Sequence, residues 1–383
     1  MLPTSILRTW ITGLLALAIL GAAGYLIYDW YYYDQDDQEY LYWASGLVAF
    51  ASLGRLLVTP LLGKGEAARQ PAELRGTSET IIRPDGTQLQ VQSSGPADAQ
   101  PIVLVHGWGL DASAWQYLLT DLGEQFRLIT WDLRGIGRSS QPKNRDYSLE
   151  AMAADLEAVT AKAQRPAILL GHSIGGMIIQ TFCRLYPQHL GSRVSGLVLV
   201  DTTYLNPVNT AALRSLWRPL QKPVIQPLLH LTIWLSPLVW LMNLLSYQNG
   251  SSHVTSRITS FAGAQTRRQL DLAVRLGSFA SPAVLARGML AMLRLDEQRT
   301  LGSISVPVLV VSGENDRLTQ PDAAQHISRA IPGARLEMLK PCGHESVLEQ
   351  HQALAQLVTR FGAEHSQPAN KKSPVGTSSA VAR

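Results

Sequence analysis

The sequence predicts an α/β fold: a mostly parallel, doubly wound sheet that carries a helical insert and is preceded by two apolar helices. Three observations carry this prediction. Short apolar runs, each ending in a Gly-, Asp- or His-bearing loop, recur through residues 77–201 and 304–362 with helical stretches between them, as a parallel sheet requires. From Asp201 to Val306 those runs stop and a long apolar segment takes their place. The first 65 residues hold two charge-poor stretches of membrane-span length. The chain therefore divides into an anchor at 1–65, a linker at 66–76, a core at 77–201 and 304–362, a helical cap at 202–303 and a polar, disordered tail at 363–383.

The anchor is read from charge. Trp10 to Tyr28 is nineteen residues without a charge, and Tyr40 to Gly63 has Arg55 as its only one. Both are transmembrane candidates. Asp29, Asp34, Asp36, Asp37 and Glu39 lie between them with no Lys or Arg, whereas Arg8 precedes the first stretch and Lys64, Arg69 and Arg75 follow the second. The positive-inside rule puts both ends in the cytoplasm, which predicts a bacterial inner-membrane protein with everything after residue 65 on the cytoplasmic side. Nine aromatics from Tyr25 to Trp43 form a belt at the outer interface. Arg55 is expected to snorkel inward along its stem. The competing reading is a signal peptide, with Ile11 to Leu20 as its apolar region and Gly21 to Gly24 as its cleavage zone.

Past the linker, Thr80 to Gln92 reads as a hairpin around Asp85-Gly86. Pro101 to Val105 is a strand ending in His106-Gly107-Trp108-Gly109, and Arg127 to Trp131 another, ending in Asp132-Leu133-Arg134-Gly135-Ile136-Gly137-Arg138-Ser139. Ala167 to Leu170 is a third, running into Gly171-His172-Ser173-Ile174-Gly175-Gly176 and then an apolar helix from Met177 to Leu185. A strand that turns through G-x-S-x-G into a helix is a nucleophile elbow. It holds a serine hydroxyl above the sheet edge, where the N–H groups of the helix start face a developing oxyanion. Leu197 to Val200 ends at Asp201, Val306 to Val311 at Gly313-Glu314-Asn315-Asp316, and Ala334 to Leu339 leads to Gly343-His344. Ser173, Asp316 and His344 thus follow one another in chain order, each just after a strand.

These motifs resemble those of the α/β-hydrolase superfamily, within it the cap-containing group of bacterial esterases, lipases, non-heme peroxidase-like enzymes and C–C bond hydrolases. The resemblance covers residues 77–362. It implies an α/β-hydrolase fold, Ser173 as nucleophile, His344 as general base, Asp316 as acid, and the backbone N–H groups of Trp108 and Ile174 as oxyanion hole. The Asp132 loop is structural in this resemblance. Asp201 competes with Asp316, because related enzymes sometimes take their acid from that strand.

The chemistry needs those residue types. A serine hydroxyl is a poor nucleophile, so an imidazole must take its proton and later return it to the leaving group. A carboxylate on the other ring nitrogen holds the tautomer. Neither metal nor organic cofactor is required, and the remaining histidines show no ligand spacing such as H-E-x-x-H. His106 reads as a hydrogen-bonded turn histidine. Cys183 and Cys342 are too few for a disulfide framework and read as free thiols. A formal charge of +4 and the absence of basic clusters with interleaved aromatics exclude a nucleic-acid partner.

The cap is unusual: Thr202 to Leu270 contains no Asp or Glu, and Leu228 to Tyr247 is twenty residues without a formal charge. A single extra crossing there would separate Asp316 and His344 from Ser173, so the segment stays on one side. Two readings remain, a cap pair buried over an acyl pocket and a cap whose apolar face enters the inner leaflet. The functional expectation is a serine hydrolase cleaving carboxylic esters of apolar or lipid-like acyl groups through an acyl-enzyme, with a small-molecule or lipid-like ester and the membrane as its partners. C–C hydrolysis, perhydrolysis or acyl transfer by the same three residues, and a non-catalytic binding protein on the same fold, are the alternatives.

Overall fold

The computed structural model describes residues 2–65 and 76–365. Of the linker expected at 66–76, residues 66–75 lie outside the described residues, and so do 366–383 of the tail expected at 363–383; the last helix runs on to His365, into the stretch read as tail. Eight strands form one sheet: β1 (Thr77–Ile82), β2 (Gln88–Ser94), β3 (Pro101–Val105), β4 (Arg127–Trp131), β5 (Ala167–His172), β6 (Val194–Val200), β7 (Val308–Gly313) and β8 (Arg335–Leu339), in the order 1-2-4-3-5-6-7-8. The β1–β2 hairpin and the β2–β4 pair are antiparallel, and every other pair is parallel. Strands β3, β5 and β7 are buried along their whole length, because helices cover both faces, and this explains their unbroken apolar runs.

Three helices precede the sheet: α1 (Leu2–Tyr33), α2 (Glu39–Leu53) and α3 (Arg55–Leu62). Within the core run α4 (Gln116–Leu122), α5 (Leu149–Thr160) and α6 (Ile174–Leu185). Between β6 and β7 come α7 (Arg214–Leu220), α8 (Gln226–Trp234), α9 (Ser236–Gln248), α10 (Ser251–Ser260), α11 (Arg267–Phe279), α12 (Pro282–Met292) and the short α13 (Gln298–Leu301). The core closes with α14 (Pro321–Ala330), α15 (Ser346–Glu349) and α16 (His351–His365). Met152, Leu156, Ile178 and Phe182 of α5 and α6 pack one sheet face. Leu118, Leu122, Val358 and Phe361 of α4 and α16 pack the other. Each such side chain, fully buried, stabilises by roughly 1.5–3 kcal/mol.

The apolar run Leu228 to Tyr247 is not one helix. It breaks at Leu235, where α8 meets α9 at a steep bend of 97° measured from the Arg214–Trp234 stretch, and Pro237 sits in the first turn of α9, where its missing N–H leaves no bond unmade. The two helices divide their faces. Leu229, Val239 and Met242 are buried, while Leu231, Trp234, Leu238, Trp240 and Leu241 stay exposed.

The apolar stretch Tyr40 to Gly63 also breaks, at Gly54, where α2 and α3 meet at 51°. A Cβ at Gly54 would lie 2.6 Å from the Phe50 carbonyl and 2.9 Å from that of Asn249, so only glycine lets the cap chain approach there. Arg55 reaches into the cap. Its Nη1 donates to Tyr247 Oη at 2.9 Å, its guanidinium lies 4.9 Å from the Tyr247 ring centre, and Asp271 is 3.9 Å away. An arginine in an apolar segment is costly unless paired, and the cap supplies the partners. The first helix docks on the cap as well: Trp10 Nε1 donates to Thr232 Oγ1 at 2.9 Å, Ile6 is buried, and Gly13 sits where a Cβ would meet Met242 at 2.5 Å.

Candidate active site

Ser173 lies between β5 and α6 with φ 56° and ψ −117°, a conformation that L residues rarely adopt. The neighbouring glycines make it attainable. A Cβ on Gly175 would lie 2.1 Å from the Val105 carbonyl oxygen, and one on Gly171 would lie 2.4 Å from the Gly175 backbone. The turn is therefore closed by backbone packed on backbone, and the apolar α6 anchors it from below.

Around it the structure brings together residues from three loops. Ser173 Oγ is 3.0 Å from His344 Nε2, and His344 Nδ1 is 2.8 Å from Asp316 Oδ2. All three are buried. Asp316 is held by the Leu318 and Thr319 N–H groups at 2.7 and 3.0 Å and by the Thr319 hydroxyl at 2.7 Å. A carboxylate so placed accepts only, so it sets Nδ1 as the protonated ring nitrogen and leaves Nε2 as an acceptor facing the Ser173 hydroxyl. Burial pushes Asp316 up, but His344 and the three hydrogen bonds outweigh it and hold the acid below its ordinary range. His344 shows the mirror image: burial lowers it, while the Asp316 charge and hydrogen bond leave it above the usual histidine value.

Asp201 goes elsewhere. Its Oδ1 accepts from Gly313 N–H at 2.8 Å, and its Oδ2 accepts from the Ser346 hydroxyl and stands 4.0 Å from His172 Nε2. Burial and the neighbouring Asp316 charge push it up to about 8, so it holds a proton at neutral pH. His172 braces the site from behind, Nε2 being 2.9 Å from the His344 carbonyl, and burial pushes it down to about 3. His106 is a turn histidine: Nε2 accepts from Leu133 N–H at 3.0 Å and Nδ1 faces the Gly107 carbonyl at 2.9 Å. Asp132 ties its loop through Ala112 N–H at 2.8 Å and Arg138 N–H at 2.9 Å. Burial pushes the Cys183 thiol up to about 12, which leaves it inert.

Ile174 opens α6, so its N–H points out of the helix start beside Ser173. Trp108 follows β3 on the facing loop, and its indole is fixed by donating from Nε1 to the Leu285 carbonyl at 2.9 Å and by lying against Gly288 of α12. A cavity of about 130 Å³ adjoins this loop, lined by Trp108, Leu285, Met289, Glu345 and, from the first helix, Arg8 and Thr12.

Sequence reasoning missed Glu349. Its carboxylate accepts from the Ala262, Gly263, Ala264 and Gly343 N–H groups at 2.8–3.0 Å, stitching the cap chain to the loop that bears His344. No motif marks it; three of its four donors lie more than 80 residues back in the chain. Glu349→Gln replaces an acceptor oxygen by an NH2 that faces donors, and is expected to lower stability by about 3 kcal/mol. A denaturant midpoint unchanged from the wild type would show the bonds to be dispensable.

Residues 102–357 match the model of the alpha/beta hydrolase family. The chain is an α/β hydrolase. A pimeloyl-(acyl-carrier protein) methyl ester esterase of Nitrosomonas europaea is 26% identical over 265 residues, which cover 68% of this hydrolase and 93% of that protein. Solved structures share the fold: a thermophilic esterase from Thermogutta terrifontis has a TM-score of 0.58 at 22% identity and covers 76% of this chain and 100% of that one. An esterase from Exiguobacterium antarcticum has a TM-score of 0.60 at 23% identity, over 74% and 99%. In this α/β hydrolase, α1, α2 and α3 precede the matched residues.

Proposed function

We propose that this α/β hydrolase is a membrane-anchored serine esterase that cleaves carboxylic esters of apolar, lipid-like acyl groups through an acyl-enzyme. The observation that carries the reading is the buried Ser173–His344–Asp316 chain at 3.0 and 2.8 Å, with the serine on a strained turn. In it, Ser173 Oγ attacks the ester carbonyl carbon while its proton passes to His344 Nε2. The oxyanion is stabilised by the Trp108 and Ile174 N–H groups. His344 returns the proton to the departing alcohol, and water, activated by the same imidazole, then releases the acid. The esterase names of the relatives support ester cleavage, and the Trp108, Leu285 and Met289 side chains in the cavity support an apolar acyl group.

The membrane side of the reading rests on α1, in which Ile6–Tyr33 is apolar enough and long enough to span. Exposed Leu14, Leu15, Leu56, Leu57, Trp234 and Leu241 extend that apolar surface across the first helices and the cap. The acidic loop between α1 and α2 faces outward by the positive-inside rule, with the hydrolase on the cytoplasmic side of a bacterial inner membrane.

Fluorophosphonate labelling of the full-length protein in isolated membranes tests this, with p-nitrophenyl esters of increasing chain length as competitors and Ser173→Ala beside it. Labelling that vanishes in the variant and is blocked best by long chains is the expected result. A folded wild type that takes no label would favour the non-catalytic alternative, and best protection by acetate esters would reject the lipid-like acyl group.

A further inference from the structure

The cavity beside Trp108 has two unlike walls. Trp108, Leu285 and Met289 make one apolar. The other is built by α1 and α10, and presents Arg8, Thr12, Ser256 and Thr259. Arg8 is fixed there by donating from Nη1 to Ser256 Oγ at 2.9 Å, and buried Thr12 hydrogen-bonds back to the Arg8 carbonyl at 2.9 Å. A guanidinium carries five N–H donors in a fork that matches a carboxylate or a phosphate, and among the described residues no ion pair occupies this one. Glu345, adjacent to His344 in sequence, lines the same cavity with its Oε2 unpartnered. It acts on Arg8 across the space rather than by contact.

Resting on the esterase reading, we infer that Arg8 of the anchor helix is a specificity-determining residue of the active site, and that it receives an anionic group, carboxylate or phosphate, carried by the ester substrate. Glu345 offsets the Arg8 charge only from across the cavity and touches none of its N–H groups, so the guanidinium fork beside the apolar wall and the hydroxyl groups is left for an anion that reaches it directly. The substrate that fits both walls is an amphiphile with an apolar chain and a negative group. The anchor is then part of the pocket as well as a tether, and the wall it adds lies outside the residues that match the family.

The test uses the full-length protein in detergent and two matched ester pairs. One pair is the half methyl ester of a long-chain diacid against the methyl ester of the monoacid, and the other a monoacylglycerol phosphate against the monoacylglycerol. The readout is the ratio of kcat/KM within each pair, in which changes at the shared triad cancel. Arg8→Gln is expected to lower the anionic-to-neutral ratio about 10- to 100-fold in at least one pair, chiefly through KM. Arg8→Lys is expected to keep part of it, and Glu345→Gln, which removes a competing negative charge, to raise it. The pair that responds identifies carboxylate or phosphate. Ratios that move with none of the three variants overturn the inference, and the lysine and glutamine variants keep it testable if Arg8→Gln fails to fold. If fluorophosphonate labels the wild type and the ratios stay still, this inference fails alone; an unlabelled wild type takes the esterase reading with it.

Discussion

Alanine at His344 is expected to lower kcat by about 10⁶-fold, Ser173→Ala to lower it as far, and the double variant no further, because a nucleophile and its base act as one unit. Nε2 of His344 lies 3.0 Å from Ser173 Oγ. His172 is tied to the His344 carbonyl, and burial holds it down at about 3, so it has little appetite for a proton. A loss of only tenfold in the His344 variant would move the base elsewhere, with Glu345 the first candidate. The wild-type pH profile carries the same claim with a definite sign. The base must be neutral to accept a proton, and His344 ionises above its ordinary value of 6.5 because Asp316 outweighs burial. kcat/KM should therefore fall as pH drops through a value above 6.5, and an acidic limb lying below 6.5 would contradict the assignment.

Asp316→Asn is expected to lower kcat by about 10⁴-fold, whereas Asp201→Asn should cost less than about tenfold. Both aspartates follow strands and both are buried within the same few residues of the histidine loop. They differ in what they touch. Asp316 is 2.8 Å from His344 Nδ1 and ionised, so an amide there would offer an NH2 to the nitrogen that must donate and would favour the wrong tautomer. Asp201 holds a proton at neutral pH, and an asparagine keeps its charge state while its oxygen still accepts from Gly313 N–H. Steady-state kinetics on the two purified variants decide it. The reverse order of losses would hand the acid role to Asp201.

Much of the core was legible because its signals are local. A fully buried parallel strand shows as an apolar run, and G-x-S-x-G shows as a turn that only glycines can close. The motif predicts the close approach that places a Gly175 Cβ 2.1 Å from the Val105 carbonyl. The hairpin at Asp85-Gly86 was legible for the same reason, Gly86 having φ +82°. The breaks at Gly54 and Leu235 were less so. Charge counting sees composition, and a stretch can be apolar throughout while its helix turns by 51° or 97°.

By itself, then, the sequence determined where strands fall along the chain, the elbow at Ser173, the place of the insert and the apolar character of the first 65 residues, all of them properties of short windows. Only the tertiary structure put Asp316 against His344 Nδ1 and turned Asp201 away, since both follow strands and the chain order that favours Asp316 says nothing of the hydrogen bonds to Thr319 and Ser346 that separate them. It alone joined Glu349 to the cap chain, Arg55 to Tyr247, and Arg8 to Ser256 across 248 positions. Partners so distant leave no trace in local pattern, because what selects them is the cost of leaving a charge or a backbone N–H unpaired once the fold has closed around it.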